Sequence, residues 1–257
     1  MNSALIRYKF GKSTYTYDDS AYAQKEIAVK LAALISALYP RIPRTILEIG
    51  CGTGLLTRNI LPLFDGAHYY LNDVNEKVEA LISSLFTADN FTFIGGDAQA
   101  VDFPCGIDLL VSSSTLQWFD ALSAFAQRAH NSLSSEGYMF LSTFGKNNLK
   151  EIRRLTGTGL EYSSSELLRE IFSSGFEVLH LYEEEIPVAF DSSTEILSHF
   201  RRTGVNANCS GIVRTQSGLR SFCKSYDKMF SDGTKVILTY NPIYLVLKKK
   251  QWEKRYL

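Results

Sequence analysis

The segment Ile46-Leu47-Glu48-Ile49-Gly50-Cys51-Gly52-Thr53-Gly54 constrains this chain more than any other. An apolar run of strand length ends in glycines at alternate positions, and apolar residues at helical spacing follow. Glycine at such a turn lets the backbone double back and leaves no Cβ between the chain and a ligand. A strand, a glycine turn and a helix in this order open a βαβ unit, so the rest of the chain has to supply a parallel sheet around it.

The pattern downstream does so. Strands are expected at Thr45–Ile49, Tyr69–Asp73, Phe91–Ile94, Ile107–Val111, Tyr138–Thr143, Phe176–Val188 and Lys235–Leu247. Helical spacing is expected over Ala21–Leu38, Leu55–Phe64, Asn75–Leu85, Ala121–Leu133, Ser165–Phe172, Glu195–Arg202 and Gly218–Phe230. Asn75 is a plausible cap for its helix. Strands alternating with helices predict an α/β, Rossmann-like doubly wound sheet in one domain spanning residues 1–257. Residues 191–233 depart most from the alternation and are expected to be an insertion over one end of the sheet. Asn241-Pro242 interrupts the last strand, which favours an edge or a bulge there.

Three acidic residues stand at three successive strand ends: Glu48, Asp73 and Asp97. In an open α/β sheet the ligand sits beyond the carboxyl ends of the strands, at the switch point. A dinucleotide loop reads GxGxxG, which places its third glycine at position 55, where Leu55 stands instead. Glu48 is costly in a buried strand unless it meets donors or a cation. A sulfonium cofactor with an ammonium group gives it that partner, whereas a pyrophosphate does not. Asp73 is placed for the ribose hydroxyls of an adenosyl ligand, and Asp97 for the adenine amino group.

These features together resemble the class I, seven-stranded S-adenosylmethionine-dependent methyltransferases. Asp108 to Trp118 is similar to that family's fourth-strand motif, with Ser113 where asparagine is common. The resemblance implies a seventh strand antiparallel to the others, for which Lys235–Leu247 is the candidate. More specific segments resemble one branch: Thr16-Tyr17-Asp18 with Ala21 and Gln24, Leu116-Gln117-Trp118-Phe119, Leu141 to Gly145, Leu155-Thr156-Gly157, Arg202 to Ala207, and Leu238 to Tyr244. Together they are similar to the malonyl-acyl-carrier-protein O-methyltransferases of biotin synthesis. The resemblance implies S-adenosylmethionine held by Tyr17, Gln24, Glu48, Gly50, Gly52, Gly54, Asp73, Asp97, Ala98 and Ser113. Tyr17, in a lid region over residues 1–40, covers the cofactor and with Arg201 and Arg202 is a candidate catalytic residue. Trp118, Phe144, Arg153 and Arg201 are candidates to bind the acceptor.

A carboxylate acceptor is ionised at neutral pH and needs orienting donors rather than a base. The scattered histidines and the absence of any CxxC or HxxxH spacing suggest no metal site. Formal net charge is zero, so an acidic carrier protein has to be met by a local basic patch, while nucleic acid and membrane surfaces find no global attraction. Lys146, Lys150, Arg153 and Arg154 after the fifth strand, and Arg201 and Arg202 in the insertion, are the candidates for that patch. Met1 to Phe10 has no signal-like apolar run, no span of about 20 apolar residues follows, and reduced cysteines are expected, which points to the cytoplasm. Competing readings are a class I methyltransferase for a quinone precursor or free organic acid, a cofactor-binding partner without catalysis, and a dehydrogenase.

Overall fold

The computed structural model describes residues 18, 20–87, 90–203 and 215–251. Helix α1 (Tyr22–Leu38) precedes β1 (Thr45–Ile49), α2 (Thr57–Ile60), β2 (His68–Asp73), α3 (Glu79–Ser83), β3 (Phe91–Gly95) and β4 (Ile107–Ser113). Then come α4 (Leu122–Ser132), β5 (Leu133–Phe144), α5 (Lys150–Thr156), α6 (Ser165–Ser173) and β6 (Phe176–Glu183). The chain continues through β7 (Ile186–Phe190), α7 (Ser193–Thr203), α8 (Gln216–Phe230), β8 (Val236–Tyr240) and β9 (Pro242–Lys249).

Seven strands form one sheet in the order β3-β2-β1-β4-β5-β9-β6. β1 to β5 pair in parallel, and β9 runs antiparallel between β5 and β6. The strand order reverses between β1 and β4, which locates the ligand crevice at their carboxyl ends. Both faces of the sheet are covered, so its central strands are apolar on both sides. On one face Ile46, Tyr69, Leu71, Val111, Phe140 and Val246 pack with Ile27, Leu31 and Ile35 of α1. On the other, Leu47, Ile49, Leu110, Met139, Leu141 and Leu245 pack with Phe125 of α4 and with Leu168 and Phe172 of α6.

Two expected strands each divide in two. Phe176–Val188 separates into β6, in the main sheet, and β7, which among the described residues pairs only with β8. Lys235–Leu247 divides at Asn241, and only its second part, β9, is the antiparallel strand of the main sheet. Pro242 stands at the second break, and Pro187 is accommodated just past the first. Pro187 lies in a two-stranded ribbon with an open edge, and Pro242 is the first residue of its strand; both are positions that need no ladder donor. The helix expected over Leu55–Phe64 is a single turn followed by a 3-10 turn at Leu61–Leu63, because Pro62 removes a helical donor. Asn75 does cap its helix, accepting from Lys77 N at 3.3 Å, but that helix starts as a 3-10 turn before α3.

The residues after β5 are laced to the β8–β9 corner. Glu151 is buried and accepts from Thr239 N at 3.0 Å and Thr239 Oγ1 at 2.5 Å. Asn241 N donates to Asn148 Oδ1 at 3.1 Å, and Asn241 Oδ1 accepts from Asn147 N at 2.9 Å. Asn241 Nδ2 donates to Glu184 O at 2.8 Å. The Leu238 to Tyr244 segment, which helped carry the narrower resemblance, is thus tied by a polar network to the residues after β5. Removing the carboxylate leaves two buried donors without an acceptor, at roughly 1–3 kcal/mol each. Glu151→Ala is expected to destabilise the fold by about 2–6 kcal/mol in chemical denaturation, and Glu151→Gln by less. An unchanged midpoint for the alanine variant would show that water replaces the carboxylate.

Candidate active site

The glycine loop closes where β1 meets β2. Cys51 N donates to Asn72 O and Gly54 N to Cys51 O, both at 2.9 Å, which folds the loop back on itself. Gly50 has φ +69°, and a Cβ there would stand 2.2 Å from Thr115 Oγ1. Gly52 has φ +52° and open space where its Cβ would be, so its backbone faces the crevice directly. Gly54 has a different surrounding: a Cβ there would strike Leu85 and Ile82, and its role is close packing of the loop on α3.

Asp73 ends β2 with its carboxylate aimed at that loop. Oδ2 accepts from Gly52 N at 2.9 Å and Oδ1 from Asn75 N at 2.8 Å. Burial raises its pKa, and the two backbone donors oppose the rise. Glu48, next to the last residue of β1, is 1% exposed and accepts from Thr57 Oγ1 at 2.7 Å. Burial pushes its pKa up to about 8, with the Asp73 charge adding to the rise and Thr57 opposing it. Asp97 follows β3, its Oδ1 accepting from Gln99 N at 2.9 Å. Ala98 is buried beside it, and its carbonyl accepts from Arg128 Nη1 at 3.1 Å. Ser113 ends β4, with Ser142 Oγ donating to its hydroxyl at 3.1 Å.

These residues line a crevice of about 1100 Å³ that opens to solvent. Glu48, Gly50, Gly52, Asp73, Asp97, Ala98 and Ser113 all contribute to it, with Gln24 from α1 and Trp118 from the 3-10 turn after β4. The crevice also holds features that sequence reasoning missed. Ser114 adopts a left-handed backbone, φ 54°, rare for a residue with a Cβ. Its Oγ is buried without a hydrogen-bond partner among the described residues, as is Gln24 Oε1. No sequence signal marks a left-handed serine. At the loop's outer side, Asp18 accepts from Thr53 Oγ1 at 2.6 Å and pairs with Arg58 at 3.0 Å.

Other expected site residues lie elsewhere. Phe144 is buried against Tyr162 and Tyr240 and does not line the crevice. Arg153 Nη1 donates to Lys146 O at 2.7 Å, and its guanidinium lies over the Tyr162 ring. Arg201 and Arg202 are exposed on α7, outside the crevice lining. Tyr17 and the segment Gly204 to Ala207 lie outside the described residues. His199 is buried, shares a 2.5 Å hydrogen bond with Tyr240 Oη, and is held neutral because burial pushes its pKa down to about 4.

The arrangement suits a cationic adenosyl ligand. The buried Glu48, the half-buried Asp73 and a cradle of bare backbone face one cavity, with two unmatched polar side chains on its wall. Residues 47–141 match the family described as Methyltransferase domain. A malonyl-(acyl-carrier protein) O-methyltransferase of Bacteroides thetaiotaomicron is 38% identical over 98% of this chain and 100% of the relative. The chain belongs to the malonyl-(acyl-carrier protein) O-methyltransferase family. A member from Bacteroides fragilis is 40% identical over 96% of the chain, and the chain spans 50% of that relative's length. One from Acinetobacter baylyi is 34% identical over 97% of the chain and 98% of the relative. Among solved structures, a methyltransferase from Haloferax volcanii in complex with the activator Trm112 superposes with a TM-score of 0.63 at 12% identity, covering 97% of this chain and 100% of that one. A Bacillus halodurans methyltransferase gives 0.62 at 13% identity, covering 86% and 99%. These two likenesses speak to the fold. Among the described residues of this family member, no helix is long and apolar enough to cross a membrane.

Proposed function

We propose that the protein transfers a methyl group from S-adenosylmethionine to the free carboxylate of a malonyl thioester carried on acyl-carrier protein. The product is the methyl ester that primes pimeloyl formation for biotin. The observation that carries this reading is the full-length kinship with relatives of that name, joined to a crevice built for a cation.

When bound, the sulfonium supplies an electrophilic methyl. The chain's own residues bind and orient. Asp73 gives the crevice its negative character and Glu48 adds to it once a bound cation has ionised it; Asp73 lies within reach of ribose hydroxyls, and Asp97 lies beyond β3 for the adenine edge. Gln24 Oε1 and Ser114 Oγ are buried acceptor and donor atoms that a ligand satisfies. Tyr17 acts as a lid residue within the 1–40 region, and residues 191–233 form the acceptor-side cap. A malonyl carboxylate is ionised at neutral pH, so no residue has to remove a proton, and neutral His199 is not needed as a base. Much of the acceleration then comes from holding carboxylate oxygen and methyl in line in a site that excludes water. Trp118, Phe144, Arg153, Arg201 and Arg202 remain the candidates for the acceptor side, the exposed arginines being better placed for its carrier.

A transfer assay tests this. The protein is incubated with labelled S-adenosylmethionine and, in parallel, with malonyl-carrier protein, malonyl-coenzyme A and free malonate. A base-labile gain of one methyl on a malonyl thioester, read by mass spectrometry, is the expected result. Cofactor binding with no transfer to any of the three would overturn the acceptor assignment, leaving a quinone precursor or another organic acid.

A further inference from the structure

The three helices beside the β7–β8 ribbon share their charge unequally. α5, α7 and α8 carry eight basic and three acidic residues, in a chain balanced at 27 and 27. All three acids are engaged by the protein itself. Glu151 is buried on Thr239, Glu195 Oε2 accepts from Asp191 N at 2.8 Å, and Asp227 Oδ1 accepts from Ser193 N at 3.3 Å. Arg220, Lys224 and Lys228 follow one another at four-residue spacing along α8 and therefore share a face. All three are exposed, whereas Phe222 and Tyr226 turn into the core. α8 packs against both α5 and α7, which present exposed Arg154, Arg201 and Arg202.

α7 contacts α1, which contributes one wall residue to the crevice. His199 on the inner side of α7 stacks on Tyr22 of α1, with ring centroids 6.4 Å apart, and Gln24 two residues on lines the crevice. We infer that the basic row Arg220, Lys224 and Lys228, extended by Arg154, Arg201 and Arg202, is the docking surface for an acidic protein that delivers the acceptor on a flexible arm. The inference rests on the carrier-bound acceptor proposed above. It identifies which surface of a neutral enzyme supplies the attraction, and α8 is a helix whose charge the sequence pattern alone did not single out. Complementary charge of this kind steers association and raises its rate without adding contacts in the crevice.

The test is a triple variant, Arg220→Glu with Lys224→Glu and Lys228→Glu, beside a neutral Gln triple, each compared with the unaltered protein. The readouts are kcat/KM for malonyl-carrier protein and malonyl-coenzyme A at low and high salt, S-adenosylmethionine affinity and melting temperature. The acidic triple is expected to lose at least about tenfold in kcat/KM on the carrier at low salt, with a flattened salt dependence. The Gln triple should lose less. Turnover of malonyl-coenzyme A, cofactor affinity and melting temperature should stay as they were. Equal carrier kcat/KM in all three proteins would overturn the docking surface while leaving the reaction standing. Tighter binding of the row to an RNA oligomer or to anionic vesicles than to the carrier would overturn it in favour of those partners. If the unaltered protein methylates neither thioester, the underlying reading falls first and the surface with it.

Discussion

Asp73→Ala is expected to weaken S-adenosylmethionine binding by about 100- to 1000-fold while leaving the fold in place. The carboxylate closes the glycine loop onto β2 through Gly52 N and Asn75 N. It also faces the crevice where ribose hydroxyls would lie. Hydrogen bonds to a charged group contribute roughly 1.5–3 kcal/mol each, so losing two near the lower end of that range costs about 3–4 kcal/mol of binding. Stability should change little, because removing a desolvated carboxylate offsets the loss of its two backbone donors. Asp73→Asn keeps an acceptor for the loop but loses the charge, and should fall between the two. Calorimetric titration decides the matter: an affinity that survives Asp73→Ala would move the ribose contact to another residue.

Cofactor affinity should also rise steeply with pH. In the ligand-free protein Glu48 has a pKa near 8, so at neutral pH most molecules hold it protonated. A cation prefers the carboxylate, so binding has to expel the proton. Affinity should therefore climb close to tenfold per pH unit below 8, roughly twentyfold between pH 6 and 7.5. Binding at pH 7 should release close to one proton, visible as an enthalpy that varies with the buffer's ionisation heat. Glu48→Gln should flatten the profile. The same shift has a stability consequence of definite sign. Because the folded-state pKa lies above the unfolded value, the protonated form favours folding below about pH 4.5, and this contribution is lost as pH rises through 8. Glu48→Gln should therefore stabilise the ligand-free protein at pH 8, by up to several kcal/mol. A pH-independent affinity together with unchanged stability in the variant would show that Glu48 is ionised in the free protein.

The two predictions concern residues that were legible in the sequence for different reasons. Gly50 and Gly52 were readable because only glycine suits a positive φ beside Thr115 and a bare backbone facing a ligand. Asp73 and Asp97 were readable because strand ends are announced by the apolar runs before them. Glu48 stood out because an acid inside such a run needs a partner. The parallel core followed from the alternation of strand and helix, since buried strands on both faces leave continuous apolar segments.

What the sequence by itself determined is therefore the class of sheet, the loop at its centre and the acids around the crevice. All of these depend on local backbone demands or on period. The tertiary structure alone decided what depends on distant partners. Lys235–Leu247 was readable as a strand interrupted at Asn241-Pro242, but only packing put its two halves in different sheets, with the Asn241 side-chain amide held by Asn147 and Glu184. Ser114 carries no sequence mark of its left-handed backbone. Thr57 holds Glu48 from the next helix, and α8 turns its three bases outward only because Phe222 and Tyr226 turn in. Side-chain neighbours and exposed faces arise from three-dimensional packing, and no one-dimensional pattern specifies them.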